Sequence, residues 1–268
     1  MKKILFPTDF SPEAHNAYQY AVALAKETGA KIDLIHVYDD TLKGEDFYLD
    51  LTQQRELRVK RQKQKEVQLL QFVNQYDFKN LGDKLIYPGV FIDQEIIDRS
   101  KRGCDLIVMG TKGERNSVNK FMGSVTTQLM MNASCPVLAI PSNANYNGME
   151  EIVYATTFSS KDQHFVEKLV EFGNHFKAKI HFVHVTKDTS PETREERYIE
   201  GLSSGFARCS IINNPSVMDG VDNFLKDHPA NALALYIPKR NLWEQLFHTS
   251  FTKKMTFHTN IPLFVFHE

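Results

Sequence analysis

The sequence predicts an α/β protein made of two tandem doubly wound domains, each with a five-stranded parallel sheet. Three observations carry that expectation. Short apolar runs such as KIDLIHV and DLIVMG alternate with longer segments of helical periodicity. Those runs are nearly unbroken and rich in branched aliphatics, as strands covered on both faces tend to be. The whole pattern also occurs twice along 268 residues, a length comfortable for two domains.

The repeat is read from four segments in the same order. KKILFPTDFS from Lys2 matches EEIVYATTFS from Glu150, an offset of 150 − 2 = 148. KIDLIHV at 31–37 matches KIHFVHV at 179–185 at the same offset, 179 − 31 = 148. DLIVMGTKG at 105–113 aligns with ALALYIPKR at 232–240, an offset of 232 − 105 = 127, and CPVLAIP at 135–141 resembles IPLFVFH at 261–267. The fall of 148 − 127 = 21 places extra length in the first copy around residues 39–76. SNANYNG at 142–148, rich in Asn and Gly, reads as a turn or hinge dividing a domain at 1–143 from one at 149–268.

Within the first copy each element has a local reason. Residues 3–8 form an apolar strand, and Ser11 caps a helix with Pro12 at its first position. Tyr18, Ala21, Val22 and Ala25 make the apolar stripe of that helix, which Gly29 ends. A strand at 31–38 follows, then a long, polar, basic helix at about 52–76. Strand 83–88, helix 92–102, strand 105–110, helix 123–132 and strand 136–141 complete the copy.

Composition excludes some partners. The net charge of −1 gives the molecule no general attraction to nucleic acid or to an acidic membrane surface, so neither is expected as a partner. RELRVKRQKQK at 55–65 is read as a solvated helix face, because no aromatics interleave for base stacking; it could also overhang a site and reach phosphates or a partner. Cys104, Cys135 and Cys209 are few and odd in number, which favours a reduced chain, and the apolar run before Pro7 is too short for a signal peptide. A cytoplasmic location is expected. The ten histidines show no compact ligand spacing: His181 and His184 fall on opposite faces of a strand, while His248, His258 and His267 are about ten residues apart, so no metal site is assigned.

The stretch GTKGERNSVNKFMGS at 110–124 raises a chemical question, since a strand-to-helix connection needs no such glycine-spaced, basic loop. Ligands of doubly wound sheets bind beyond the carboxyl ends of strands, where strand order reverses. Gly110 ends a strand, and Gly123-Ser124 opens the next helix, whose free amide donors and partial positive charge suit an anion. Lys112, Arg115 and Lys120 would form a basic rim, making a phosphate chain the natural guest. Glycines that serve only the turn are the alternative. The chain has no GxxxxGK[ST] or GxGxxG, and no general base aimed at a γ-phosphate is identifiable.

The spacing Gly110-x2-Gly113-x9-Gly123-Ser124, with ILFPTDFS at 4–11, LIHV at 34–37, YPG at 87–89 and CPVLAIP at 135–141, resembles the ATP-binding branch of the universal stress proteins. The resemblance covers both copies and implies an adenine nucleotide alpha hydrolase-like fold in which strand one lies beside strand four. It implies that Asp9 contacts the adenosine, with Pro7 and Thr8 shaping the same turn; an Asx-turn before Ser11 is the structural alternative. Val37 would meet the adenine edge through its backbone, and Gly110, Gly113, Gly123, Ser124 and Val125 would cradle ribose and phosphates. Met109 and Gly89 are either pocket lining or plain packing. The implied ligand is ATP, or ADP or AMP, with Mg²⁺ bridging phosphates.

The second copy departs from this pattern. Thr157 stands for Asp9, Ala155-Thr156 for Pro7-Thr8, and Ile237-Pro-Lys-Arg240 for Gly110-Thr-Lys-Gly113, while the Gly123-Ser124 step falls near Thr249-Ser250. It is therefore expected not to bind ATP, and to cover the edge strand 135–141 with 261–267 as an internal pseudo-dimer. A homodimer of whole chains and an unknown protein partner stay open. Three functions follow: a regulatory or signalling ATP-binding module of a stress response, a weak ATPase or adenylyl-transfer enzyme, and a nucleotide-free interaction scaffold. The first is preferred.

Overall fold

A computed structural model describes residues 1–111, 122–156, 163–186, 207–237 and 261–267. The first half contains β1 (Lys3–Pro7), α1 (Pro12–Thr28), β2 (Lys31–Tyr38), α2 (Leu51–Val73), β3 (Leu81–Pro88), α3 (Ile92–Ser100), β4 (Leu106–Gly110), α4 (Ser124–Asn132) and β5 (Val137–Ile140). The second contains β6 (Glu151–Ala155), α5 (Gln163–Asn174), β7 (Lys179–Thr186), β8 (Ala207–Asn213), α6 (Val217–Asp227), β9 (Ala232–Ile237) and β10 (Leu263–His267). Among the described residues, no helix is long and apolar enough to cross a membrane.

All ten strands join one sheet in the order β3-β2-β1-β4-β5-β10-β9-β6-β7-β8. Every neighbouring pair is parallel except β5 with β10, whose rungs are Val137–Val265, Leu138–Phe264 and Ala139–Leu263. Two apolar layers cover the sheet. One gathers Phe6, Tyr18, Leu34, Val108 and Leu138 with Tyr154, Phe182 and Phe264; the other gathers Leu5, Ile35, Ile107 and Val137 with Val183 and Val265.

The halves also share backbone bonds. Lys31 N–H donates to Lys2 O at 2.9 Å, and Lys179 N–H to Glu150 O at 2.7 Å. Lys3 N–H donates to the Asp105 carboxylate at 2.9 Å, and Glu151 N–H to the Asn231 side chain at 2.8 Å. The second match has the offset 231 − 105 = 126, and the β4 and β9 rungs agree, since Leu106 faces Ile4 as Ala232 faces Ile152. This corrects the offset of 127 read from the sequence. Tyr236, not Ile237, occupies the place of Gly110.

Local sequence explains the elements that frame the later site. Ser11 Oγ accepts the Ala14 N–H at 3.2 Å, Pro12 opens α1, and Gly29 closes it at φ 71°. α2 begins at Leu51 because the Asp50 carboxylate accepts from Thr52 and Gln53, and the Gln53 side chain accepts from Asp50 N–H. Its C-terminal turn is anchored by Phe72, whose ring lies 5.1 Å from Tyr18, 5.7 Å from Phe10 and 4.4 Å from His15. The turns before it are largely exposed. The connector at 142–148 is docked onto α1: the Asn16 amide donates to Pro141 O and Ala144 O at 3.0 Å each, and the Tyr146 ring meets Tyr20 at 4.8 Å.

One internal feature escaped the sequence reading. The β2–β3 register shifts by one residue between Ile32–Leu81 and Leu34–Lys84, a bulge on β3 opposite Asp33. Asp33 is 2% exposed and fills that bulge, accepting the Asp83 N–H at 2.9 Å and Arg99 Nη2 at 3.0 Å. A Cβ on Gly82 would lie 2.0 Å from Asp33 Oδ1, so the bulge closes only around glycine. Asp33→Ala would strand the Asp83 amide and remove one of the Arg99 partners. The expected loss is about 3 kcal/mol in urea unfolding, the cost of breaking a buried pair; a change below about 0.5 kcal/mol would show the bulge to be incidental.

Candidate functional site

β1 lies between β2 and β4, so the chain leaves its carboxyl end toward one face while β4 continues toward the other. A crevice opens where the two connections part. A cavity of about 560 Å³ occupies it, walled by the ends of β1, β2 and β4, by α3, by the first turn of α4 and by the inner side of α2.

A histidine ends the β1–β2 ladder. Thr8 N–H donates to Ile35 O at 3.0 Å, but the Thr8 carbonyl accepts from His36 Nδ1 at 2.8 Å. Ile35 therefore turns its backbone groups toward β1. Backbone groups two residues apart point the same way along a strand, so Val37 directs its N–H and C=O past the last rung of β1, into the crevice. His36 is 5% exposed, with Phe10 at 4.3 Å on its ring and Nε2 buried without a hydrogen-bond partner. Because Nδ1 carries the proton donated to Thr8, Nε2 is an acceptor. Burial holds the imidazole pKa below 6.5 and Lys65 pushes it the same way, against the Thr8 bond and Asp9.

Asp9 forms the Asx-turn weighed above: its Oδ1 accepts Ser11 N–H at 3.1 Å and Ser11 Oγ–H at 2.6 Å. It also lines the cavity. Opposite it, Thr126 Oγ1 donates to Gly110 O at 3.1 Å and Gly123 N–H to Thr111 O at 2.8 Å, fixing the start of α4 against the end of β4. The helical ladder begins with Thr127 N–H on Gly123 O. The amides of Ser124, Val125 and Thr126 precede it and belong to the open first turn. Gly123 has φ −66° and ψ 153°, available to any residue, so glycine serves here by leaving the wall bare.

The structure thus brings Pro7, Thr8, Asp9, Val37, Met109, Gly110, Gly123, Ser124 and Val125 around one cavity. Gly89 stands behind Val37: a Cβ there would approach Val37 Cγ1 to 3.0 Å and Glu95 Cγ to 3.3 Å, so its part is packing that sets the wall. Gly113 and the rim residues Lys112, Arg115 and Lys120 lie outside the described residues.

The sequence reading preferred a solvated face for the basic part of α2, with overhang of a site as the alternative, and named none of its residues as site residues. Arg61, Gln64 and Lys65 line it, with Lys43 and Asp39 from the preceding loop. Arg61 is held by Asp40 and Asp46, Lys43 by Asp39 at 2.7 Å, and Lys65 Nζ donates to Gln68 Oε1 at 3.0 Å. The Lys43 bond is the main cause holding the Asp39 carboxyl below its usual range. A signal did exist. Arg61, Lys65, Leu69 and Phe72 share one helical face, apolar toward the C-terminal turn and basic in the turns before it. Among the described residues no group of three or more His, Cys, Asp or Glu is placed to hold a metal ion.

Comparison with known proteins fits this geometry. The profile described as the Universal stress protein family matches residues 1–141. This chain belongs to that family. A universal stress protein of Thermus aquaticus is 31% identical over 141 residues, covering 52% of this chain and 98% of the relative. Universal stress protein MJ0577 of Methanocaldococcus jannaschii is 26% identical over 152 residues, covering 52% and 94%. A universal stress protein structure from Archaeoglobus fulgidus covers 98% of this chain and 97% of its own, with a TM-score of 0.73 at 16% identity, which shows a shared fold.

Some of these contacts recur among the described residues of the second half. His184 Nδ1 bonds Thr156 O at 2.9 Å and Thr156 N–H donates to Val183 O at 2.9 Å, as at His36 and Thr8. At the place of Gly110, however, Tyr236 stacks on Phe165 with ring centroids 3.7 Å apart. The small residue beside Val185 has moved from the strand end to the helix: Gly220 meets Val185 and Asn214, where the first half sets Gly89 against Val37 and Glu95.

The His36 arrangement predicts a pH dependence. With its folded pKa below 6.5, the unfolded chain binds the proton more readily, so stability is lost as pH falls from 6.5 toward the folded value. His15 and His181 add to the same slope, since burial lowers both. His36→Gln, whose amide can still donate to Thr8 O, should make unfolding free energy fall less steeply below about pH 6.5, as read by urea titration at several pH values. An unchanged slope would place a different group at the origin of the effect.

Proposed function

We propose that this universal stress protein binds one adenine nucleotide in its first half and serves as a regulatory or signalling module of a cytoplasmic stress response. ATP is the ligand of this reading, with ADP and AMP sharing the adenosine and first-phosphate contacts. The observation that carries it is the convergence, on one cavity, of Val37 backbone groups, an apolar wall from Ile35, Ile92, Ile96 and Met109, and the open first turn of α4 beside bare Gly110 and Gly123. A flat base fits the apolar wall and pairs with backbone; a phosphate chain fits helix-terminal amides. With Mg²⁺ the ion would be held mainly by phosphate oxygens, because the lining carboxylates Asp9 and Asp39 accept bonds from Ser11, Thr41 and Lys43. The same engagement favours binding over turnover, so at most slow hydrolysis is expected.

The second half, in this reading, is a degenerate copy of the domain, with the boundary between residues 143 and 149. Its function is to cover the β5 edge with β10 as an intramolecular pseudo-dimer. The β5–β10 rungs support this, since position 137 meets 265 and 139 meets 263 about a centre at 138 and 264, the self-complementary pattern of a two-fold contact. Shared His–Thr bonds with a closed Tyr236 position support loss of ligand without loss of frame.

Gly123→Val tests the site without changing its backbone class. Wild-type protein should show saturable heat on ATP titration, and the variant should bind at least about tenfold more weakly at equal thermal stability, roughly 1.4 kcal/mol. Equal affinities, or no binding by wild type freed of nucleotide, would exclude the cavity as the site.

A further inference from the structure

Two of the three cysteines meet at the opposite end of the sheet from the cavity. Cys104 precedes β4 and Cys135 precedes β5, and these strands are parallel neighbours whose pairing includes Ile107–Val137, with Ile107 N–H on Pro136 O at 2.9 Å. Extending that register sets Cys104 one residue off Cys135, a diagonal of about 6 Å for strands about 4.8 Å apart that rise about 3.3 Å per residue, within the roughly 4.4–6.8 Å between Cα atoms that a disulfide spans. Both side chains pack in the same apolar layer, Cys135 at 6% exposure and Cys104 half-buried. Cys104 is the neighbour that acts most strongly on the Cys135 thiol. The neighbouring contact is also fixed, since Ser100 Oγ and Ser134 Oγ lie 2.8 Å apart and Ser134 N–H donates to Ser100 Oγ at 3.1 Å.

We propose that Cys104 and Cys135 are a reversible thiol–disulfide site, oxidised by hydroperoxides. Their placement assigns the order of events. Cys104 is the reachable sulfur and reacts first. Its thiolate attacks one peroxide oxygen, the O–O bond breaks, and hydroxide leaves and takes up a proton to become water, giving a sulfenic acid. Cys135 sulfur then attacks Cys104 sulfur; the S–O bond breaks, and the departing hydroxide leaves as water with the Cys135 proton. The two sulfurs lose two electrons and the peroxide becomes two waters. Cys104, followed by burial, pushes the Cys135 thiol up, so Cys135 is not the sulfur that meets peroxide first.

Position gives the modification a consequence. A Cys104–Cys135 bond would close a loop containing residues 105–134, which holds β4, the glycine-spaced connection and all of α4. It would tie the floor of that segment without touching the cavity end, and it does not depend on what the cavity binds. Cys209 lies on β8, at the far edge of the other half, and has no place in the pair.

Native wild-type protein is treated with hydrogen peroxide, blocked with N-ethylmaleimide and digested without reduction. The expected product has lost two hydrogens, contains a peptide joining Cys104 to Cys135, and returns to two free thiols with dithiothreitol. Cys209→Ser should behave identically. Cys135→Ser should yield a Cys104 sulfenic acid that dimedone traps, with no cross-link. The proposal is overturned if wild type remains unreacted, if Cys104 proceeds to sulfinic acid while Cys135 stays reduced, or if the bond forms only through Cys209 or between chains.

Discussion

The pairing of β1 with both β2 and β4 is the constraint on which the molecule depends. It puts residues about a hundred positions apart in sequence at one sheet end and sends their connections to opposite faces, so a crevice must open between them. The side chains then determine what the crevice is. Thr8 and His36 stop the β1–β2 ladder early and leave Val37 facing open space; Gly110 and Gly123 keep the far wall bare; Phe72 anchors α2 so that its basic upper turns stand over the mouth. Each of these devices shapes a concave surface with donors in it.

The second half shows which parts of that design are scaffold. The His–Thr bond, the strand-start bonds at Lys31 and Lys179, and the paired side-chain acceptors Asp105 and Asn231 recur, because they hold strands in register whatever lies beyond them. What differs lies at the carboxyl ends. An aromatic pair, Tyr236 on Phe165, stands where the first half has a glycine. The antiparallel β5–β10 contact joins the two sheets into one, so the inner edges of both halves are covered and, among the described strands, β3 and β8 are the outer edges.

Much of this was legible in the sequence because strands buried on both faces leave unbroken apolar runs, and helices leave caps and stripes. Ser11, Pro12 and Gly29 marked α1 to the residue. The glycine spacing and the ILFPTDFS segment named nine residues that do share a cavity. Three things were not legible. The second-half offset slipped by one because ALALYI can slide along DLIVMG without losing apolar matches, and only the polar starts Asp105 and Asn231 distinguish the registers. The Asp33 bulge depends on a cross-strand partner that no local pattern records. The part of α2 in the site was hidden because lysines and arginines on a helix read as solvated until tertiary packing shows which face turns inward.

The proposed function makes the two halves unequal: the first would accept an adenine nucleotide and the second would not. Equilibrium dialysis of nucleotide-free full-length protein against labelled ATP, with photo-cross-linking to locate the label, tests this most directly. The account predicts saturation at one ATP per chain, with label confined to peptides containing residues 7–9, 36–43, 61–65 or 109–126. Two equivalents per chain, none, or label in the β7 and β9 peptides would contradict it.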